Sequence, residues 1–238
     1  MKAMVFAAGE GTRLRPLTLQ TPKALIDVAG RPLLGHVLDS LRRAGVSHVV
    51  VNVHHLGDQV KRYLAENDFG FDRVDVSDES DLLLDTGGGL LRARPFLDDG
   101  SGEPILLHNA DILTDLDLGS IPLRGDATLV TSSRPSSRQL VFDPSGRLTG
   151  WVNNSTGETR GRADGTPLSF NGIHLVSPSI FPTLEAYAAA NSPVFSLTPF
   201  YVANADALEI TSRTPQKSYR WHDIGSPAKL AAARADFG

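Results

Sequence analysis

The segment Ala7-Ala8-Gly9-Glu10-Gly11-Thr12-Arg13 joins two glycines to a cation directly after an apolar run. Glycines at the end of a buried strand let the backbone turn sharply and approach a ligand closely. Successive N–H groups in such a turn form a concavity for anions. The planar guanidinium of Arg13 suits phosphate oxygens. A second cation, Lys23, follows a proline-stiffened turn at Thr21-Pro22. The chemistry open to this set is polyphosphate binding and charge stabilisation in group transfer. Gly9-Glu10-Gly11 alone reads equally as a plain strand-to-helix turn. It lacks the third glycine of the dinucleotide fingerprint and the Gly-Lys-Ser/Thr of a P-loop.

Two carboxylates stand at comparable places. Asp111 follows Pro104 to His108, an apolar run that reads as a buried strand. In open α/β sheets ligands bind beyond the carboxyl ends of strands. Taken alone, Asp111 also reads as a turn former. Asp223 follows Tyr219-Arg220-Trp221-His222 and precedes Gly225. Taken alone, it also reads as a residue leading into the helix that opens at Ser226-Pro227. Asp85-Thr86-Gly87-Gly88-Gly89 presents backbone groups that a flat base edge could read, or serves as a flexible tip. The seven histidines form no His-Glu-x-x-His pattern, and the absence of cysteine removes thiolate nucleophiles, disulfides and cysteine zinc sites.

The elements that must position these residues alternate in the first half. Met4 to Ala7, His48 to Val53, Val74 to Ser77 and Pro104 to His108 read as strands. Leu33, Leu34, Val37, Leu38 and Leu41 have helical spacing, closed by Gly45; Leu56, Val60, Tyr63 and Leu64 make a second amphipathic helix. Strands separated by helices imply a parallel sheet covered on both faces. The second half has short strands at Thr128 to Thr131, Gln139 to Phe142, Leu148 to Val152 and Leu168 to Val176, with Asn153 to Thr166 as a surface loop. Pro178 to Ala190 and Ser226 to Ala235 read as helices. The expected fold class is α/β: a Rossmann-like mixed, mostly parallel sheet with helices on both faces and a small antiparallel extension. One domain is expected over residues 1–238, with halves meeting near residue 115.

Composition narrows the partners. A net charge of −4 carries no basic excess, which argues against nucleic acid or an anionic membrane surface. The apolar run Ala3 to Ala8 is too short for a signal peptide's apolar region or a membrane span. The lack of cysteine fits a reducing cytoplasm.

The residues from Ala7 to Thr18, followed by Pro22-Lys23-Ala24-Leu25, resemble the signature of the sugar-1-phosphate nucleotidylyltransferases. Gly30-Arg31-Pro32-Leu33-Leu34, Asp85-Thr86-Gly87-Gly88-Gly89, Asn109-Ala110-Asp111 and Asp223-Ile224-Gly225-Ser226-Pro227 are similar to further family motifs, in the same order. The acid-Thr-Gly-Gly-Gly form looks most like the bacterial N-acetylmuramate 1-phosphate uridylyltransferases. Ala8, in place of a second glycine, leans the same way, toward UTP.

The resemblance implies roles. Ala7, Ala8, Gly9, Gly11, Thr12, Arg13, Lys23, Thr86, Gly87, Gly88 and Asn109 would bind the nucleotide. Asp111 and Asp223 would hold Mg²⁺. Arg13 would meet the β and γ phosphates, and Lys23 would bridge the α-phosphate and the sugar phosphate, making these two the catalytic cations. Asn171 and Gly172 would line the sugar pocket. Residues 1–115 would form the nucleotide-binding half and 116–238 the sugar-binding half of a cytoplasmic monomer or small homo-oligomer. Two departures stand out. Ala110 replaces a glycine before Asp111, tolerable if that position does not need positive φ. Gly150-Trp151-Val152-Asn153-Asn154 lacks the lysine that many relatives aim at the sugar phosphate, leaving Arg160 or nothing in its place. Trp151 reads more readily as core packing than as a stacking platform. The alternatives kept open are a guanylyl- or thymidylyltransferase acting on another sugar phosphate and a catalytically silent nucleotide-sugar sensor.

Overall fold

In the computed structural model, which describes residues 1–238, strand β1 (Lys2–Phe6) lies inside a ten-stranded sheet. The short ladder β2 (Asp27–Val28) and β3 (Arg31–Pro32) follows, then α1 (Leu33–Arg43), β4 (His48–Val53), α2 (Gly57–Glu66), β5 (Arg73–Asp78), α3 (Asp85–Leu97), β6 (Ile105–Asn109) and β7 (Ile112–Thr114). The second half contains β8 (Ala127–Ser132), β9 (Arg138–Phe142), β10 (Leu148–Asn153), β11 (Thr159–Gly161) and β12 (Thr166–Val176). It closes with α4 (Phe181–Ala190), α5 (Leu197–Ala203), β13 (Ile210–Arg213), β14 (Trp221–Asp223) and α6 (Pro227–Phe237).

The sheet runs β11-β10-β9-β12-β6-β1-β4-β5, with β8 also on β12 and β13 on β8. Strands β6, β1, β4 and β5 are mutually parallel. The pairs among β12, β6, β8, β9, β10 and β11 are antiparallel, so the sheet is mixed; its parallel pairs are those of the first half and the edge pair β13–β8. The alternation of side chains explains why both faces are covered. Ala3 and Val5 of β1, with Val49 and Val51 of β4, pack beneath Leu34, Val37, Leu38 and Leu41 of α1. Met4 and Val50 point to the other face, against Leu90, Ala93 and Leu97 of α3 and Phe181 and Leu184 of α4. Each fully buried Leu, Val or Phe of this kind contributes about 1.5–3 kcal/mol.

A third, smaller cluster matters most for function. Leu14, Leu33, Leu113, Ile224, Leu230 and Ala233 pack with Ile26 and Val28. It joins the turn after β1, the ends of β7 and β14, and α6. The segments that carry Arg13, Asp111 and Asp223 therefore share one apolar anchor.

Three expectations need correction. Asn153 to Thr166 is not all loop: it contains β11, whose three residues are exposed on the sheet edge and show no apolar alternation. Helix α5 and strand β13 have no counterpart in the expected pattern. The Gly87-Gly88-Gly89 run is neither a hairpin tip nor an open loop but the first turn of α3. No helix is long and apolar enough to cross a membrane.

Candidate active site

A cavity of about 480 Å³ opens at the carboxyl ends of β1 and β6. Ala7, Ala8, Gly9, Gly11, Thr12 and Arg13 line it from the turn after β1. Lys23, Thr86, Asn109 and Asp111 line it as well. The turn is built to present donors. Gly11 takes a left-handed conformation at φ +64°, starting a short 3-10 turn that buries Leu14. A Cβ at Gly9 would meet nothing within 4 Å. The N–H groups of Ala8, Gly9, Glu10 and Gly11 find no acceptor within the protein. Arg13 makes no ion pair and no hydrogen bond, and its guanidinium lies 3.2–3.3 Å from where a Cβ on Gly225 would stand. Unbonded backbone donors beside an unpartnered cation suit an anion with several oxygens.

Lys23 Nζ forms an ion pair with Asp111 Oδ2, and both side chains are largely shielded from solvent. Asp223 Oδ2 pairs with Lys229 Nζ at 2.7 Å. The two aspartates are neighbours through the backbone. β14 runs antiparallel to β7 with Asp223 opposite Ile112, and the Ile224 N–H donates to the Asp111 carbonyl at 2.9 Å. Asp223 itself does not line the cavity, although Gly225 does. No group of three or more His, Cys, Asp or Glu is placed so that protein side chains alone could hold a metal ion. Two carboxylates on adjoining strand ends fit Mg²⁺ as a donor set, because that ion takes hard oxygens, keeps waters, and completes its shell with substrate phosphates. Ala110 does not adopt positive φ, is buried, and donates its N–H to Phe6 O at 3.0 Å, so its methyl costs no backbone strain.

Besides Asp223, four expected ligand residues lie outside this cavity. Gly87 and Gly88 are buried, and both N–H groups donate to Phe195 O, at 2.8 and 3.3 Å. A Cβ on Gly87 would stand 2.3 Å from the Phe195 ring, and one on Gly88 would stand 2.1 Å from Pro193 O. These glycines let residues 193–195 lie against α3; they do not offer free donors to a base. Asn171 is 1% exposed and lines neither of the two main cavities. Its Oδ1 accepts from Ser132 Oγ at 3.0 Å and Arg134 Nε at 3.3 Å, its Nδ2 donates to Tyr219 OH at 2.7 Å, and its carbonyl accepts from Trp221 Nε1 at 2.9 Å. Gly172 sits in the bulge of β12 at φ +76°, where a Cβ would come within 2.9 Å of Asn109 Nδ2. Arg134 stacks over Trp221 at 4.2 Å, and burial lowers its pKa from the usual guanidinium value. This bulge is a brace for β14, the strand that ends in Asp223.

Three further residues line the cavity: Asn52 and Glu79, which belong to no motif, and Asp85, which opens the acid-Thr-Gly-Gly-Gly motif. Asn52 is the one polar residue near the end of an all-buried strand. Glu79 is fully buried, and burial raises its pKa above the ordinary carboxylate value. Asp85 holds φ +59° at the start of α3, a left-handed position that a short polar side chain tolerates better than most. Asp85 also lines a second cavity of about 530 Å³ with Arg138, Gln139, Trp151, Asn153 and Arg160. There Arg160 pairs with Glu158 and lies over the Trp151 ring at 5.3 Å, while Arg138 makes no ion pair. Trp151 does both jobs: it packs partly on the second core cluster and lines this cavity.

Comparison with known proteins finds relatives and structural neighbours that cover nearly the whole chain. The nucleotidyl transferase family model matches residues 2–122. The chain is 33% identical to an N-acetylmuramate alpha-1-phosphate uridylyltransferase of Neisseria meningitidis, over 99% of this chain and 97% of that one. It is 35% identical to the enzyme of the same name from Caulobacter vibrioides, over 97% and 94%. The crystal structure of HddC from Yersinia pseudotuberculosis shares the fold, with a TM-score of 0.79 at 20% identity, over 100% of this chain and 99% of that one.

Proposed function

The chain belongs to the nucleotidyl transferase family, and from that premise we propose that it joins UTP to N-acetylmuramic acid 1-phosphate and releases pyrophosphate. Its broader class is sugar-1-phosphate nucleotidylyltransfer. The substrate pair follows the names of the two uridylyltransferases that match it over nearly their whole length. The observation that carries the chemical reading is the cavity itself: unbonded N–H groups at Ala8 to Gly11, an unpartnered Arg13, and Lys23 paired with Asp111.

The sugar-phosphate oxygen is already anionic at neutral pH, so attack on the α-phosphorus needs no protein base. An O–P bond forms in line as the bond to the β-phosphate oxygen breaks, and pyrophosphate carries away the electron pair. Positioning and charge stabilisation are then the protein's main tasks. Arg13 and the turn N–H groups hold the β and γ phosphates. Lys23 turns from Asp111 to the α-phosphate and sugar phosphate. Asp111 and Asp223 would hold Mg²⁺, which when bound would neutralise charge on the transferring phosphates. The second cavity, reached past Asp85, takes the sugar, with Arg138 and Arg160 as its cations.

A matrix of four triphosphates against several sugar 1-phosphates, read by pyrophosphate release, tests the proposal. UTP with N-acetylmuramic acid 1-phosphate is expected to turn over fastest. A faster GTP or dTTP reaction would move the base assignment. Nucleotide binding without turnover of any pair would leave a silent sensor on the same fold.

A further inference from the structure

We infer that Glu79 is a positioning residue that locks the turn after β1 to the entry of α3 through Asn52, and so sets the width of the nucleotide slot. The inference rests on the cavity being the nucleotide site. Asn52 lies on the same face of β4 as Val50, toward α3. Its Oδ1 accepts the Ala7 N–H at 2.7 Å. A backbone N–H can only donate, so the amide orientation is forced, and Nδ2 faces Glu79 Oε1 at 2.7 Å. The other carboxylate oxygen, Oε2, accepts the Leu84 N–H at 3.0 Å, one residue before α3 begins.

Both oxygens of Glu79 thus receive donors, and every donor in the relay from Ala7 and Leu84 points toward the carboxylate. Glu79 is itself fixed. Its N–H donates to Val53 O at 2.8 Å, and His54 Nδ1 meets its carbonyl oxygen at 2.7 Å. The space for this pair exists only because residue 89 lacks a side chain: a Cβ on Gly89 would stand 2.7 Å from Glu79 Oε1 and 3.0 Å from Asn52 Nδ2. Ala7 and Thr86, on the two segments so joined, both line the cavity. Neither Asn52 nor Glu79 is needed for the reaction chemistry, so their effect should fall on nucleotide affinity.

The relay has one polarity, and that makes it testable by exchange. Glu79→Gln puts an NH₂ against the NH₂ of Asn52 or the N–H of Leu84, leaving two donors facing each other. Asn52→Asp puts two carboxylates face to face. The double variant N52D/E79Q restores one acceptor for each donor. Its carboxylate at position 52 accepts from the Ala7 N–H and from the amide NH₂ at position 79, and the amide oxygen at position 79 accepts from the Leu84 N–H. Steady-state kinetics with UTP and N-acetylmuramic acid 1-phosphate, with thermal unfolding alongside, reads the outcome. E79Q is expected to raise KM for UTP about tenfold while kcat falls less than about threefold, as for one unmatched buried donor. The double variant is expected to return to within about threefold of wild type. If the single variants fail to fold, a folded double variant with near wild-type KM still supports the relay. A folded E79Q with unchanged KM, or a double variant no better than the worse single, overturns it. Wild-type turnover is the control. Its absence would sink the reading of the cavity, and its presence with an unaffected E79Q would sink only the role of Glu79.

Discussion

The turn after β1 and the bulge of β12 are both rich in polar groups, yet they are finished to different degrees. In the turn, N–H groups from Ala8 to Gly11 and the Arg13 guanidinium have no protein partner. In the bulge, both side-chain polar atoms of Asn171 and its carbonyl are engaged by Ser132, Arg134, Tyr219 and Trp221. Gly9, Glu10 and Arg13 are exposed, so solvent serves these groups at little cost until an anion takes its place, and their convergence on one cavity is what suits them to a ligand. Closed groups in a buried network mark structure. The distinction separates a site from its scaffold.

Lys23→Ala should give the largest effect. If the ammonium stabilises charge on the transferring phosphates, kcat/KM falls roughly 10²- to 10³-fold. Steady-state pyrophosphate release measures it, and a near wild-type rate would remove Lys23 from the chemistry.

Acid should act on the seam between the two halves. His108 of β6 and His174 of β12 are buried, and His108 Nε2 and both nitrogens of His174 lack partners. Burial lowers their pKa values to about 4 and about 3. The unfolded chain, with histidine near 6.5, binds these protons more readily than the fold does. Stability is therefore complete above pH ~6.5 and is lost as pH falls from there toward 4, by on the order of 3 kcal/mol per histidine at most. Thermal unfolding of wild type and His174→Phe between pH 7 and 4 checks this. The variant should lose less stability than wild type, and an identical slope would contradict the assignment.

Arg13→Ala should lower kcat/KM about thirtyfold, the size of a charge-assisted phosphate contact, with no change in melting temperature. The melting temperature is the sharper half, since Arg13 has no partner to lose. Asn171→Ala should do the reverse: about 1–2 kcal/mol of stability lost and KM for the sugar phosphate moved less than about threefold. A stable Asn171→Ala with a much raised sugar KM would place Asn171 in the sugar site and break the comparison.

The two regions also differ in how far they could be read without a structure. Val49, Val50 and Val51 announce β4 because a strand buried on both faces is a continuous apolar run. The same holds for β1 and β6, so the parallel half and the strand ends that carry the turn and Asp111 were legible. Helix α5 is only seven residues long, with Pro199 in it, and has too few turns to show a period. Strand β13 is mostly half-exposed at an edge. The true reason for Gly87 and Gly88 lies in Pro193 and Phe195, more than a hundred positions away. No local pattern records such a contact. Asn52 was the missed clue: a lone polar residue in an apolar strand that must find a partner.

The most direct test of the central claim is anomalous diffraction from crystals grown with UTP and Mn²⁺ in place of Mg²⁺. The metal peak is expected between Asp111 and Asp223, with the triphosphate along Gly9 to Arg13. A metal bound away from these two aspartates, or a triphosphate that does not touch the turn, would contradict it.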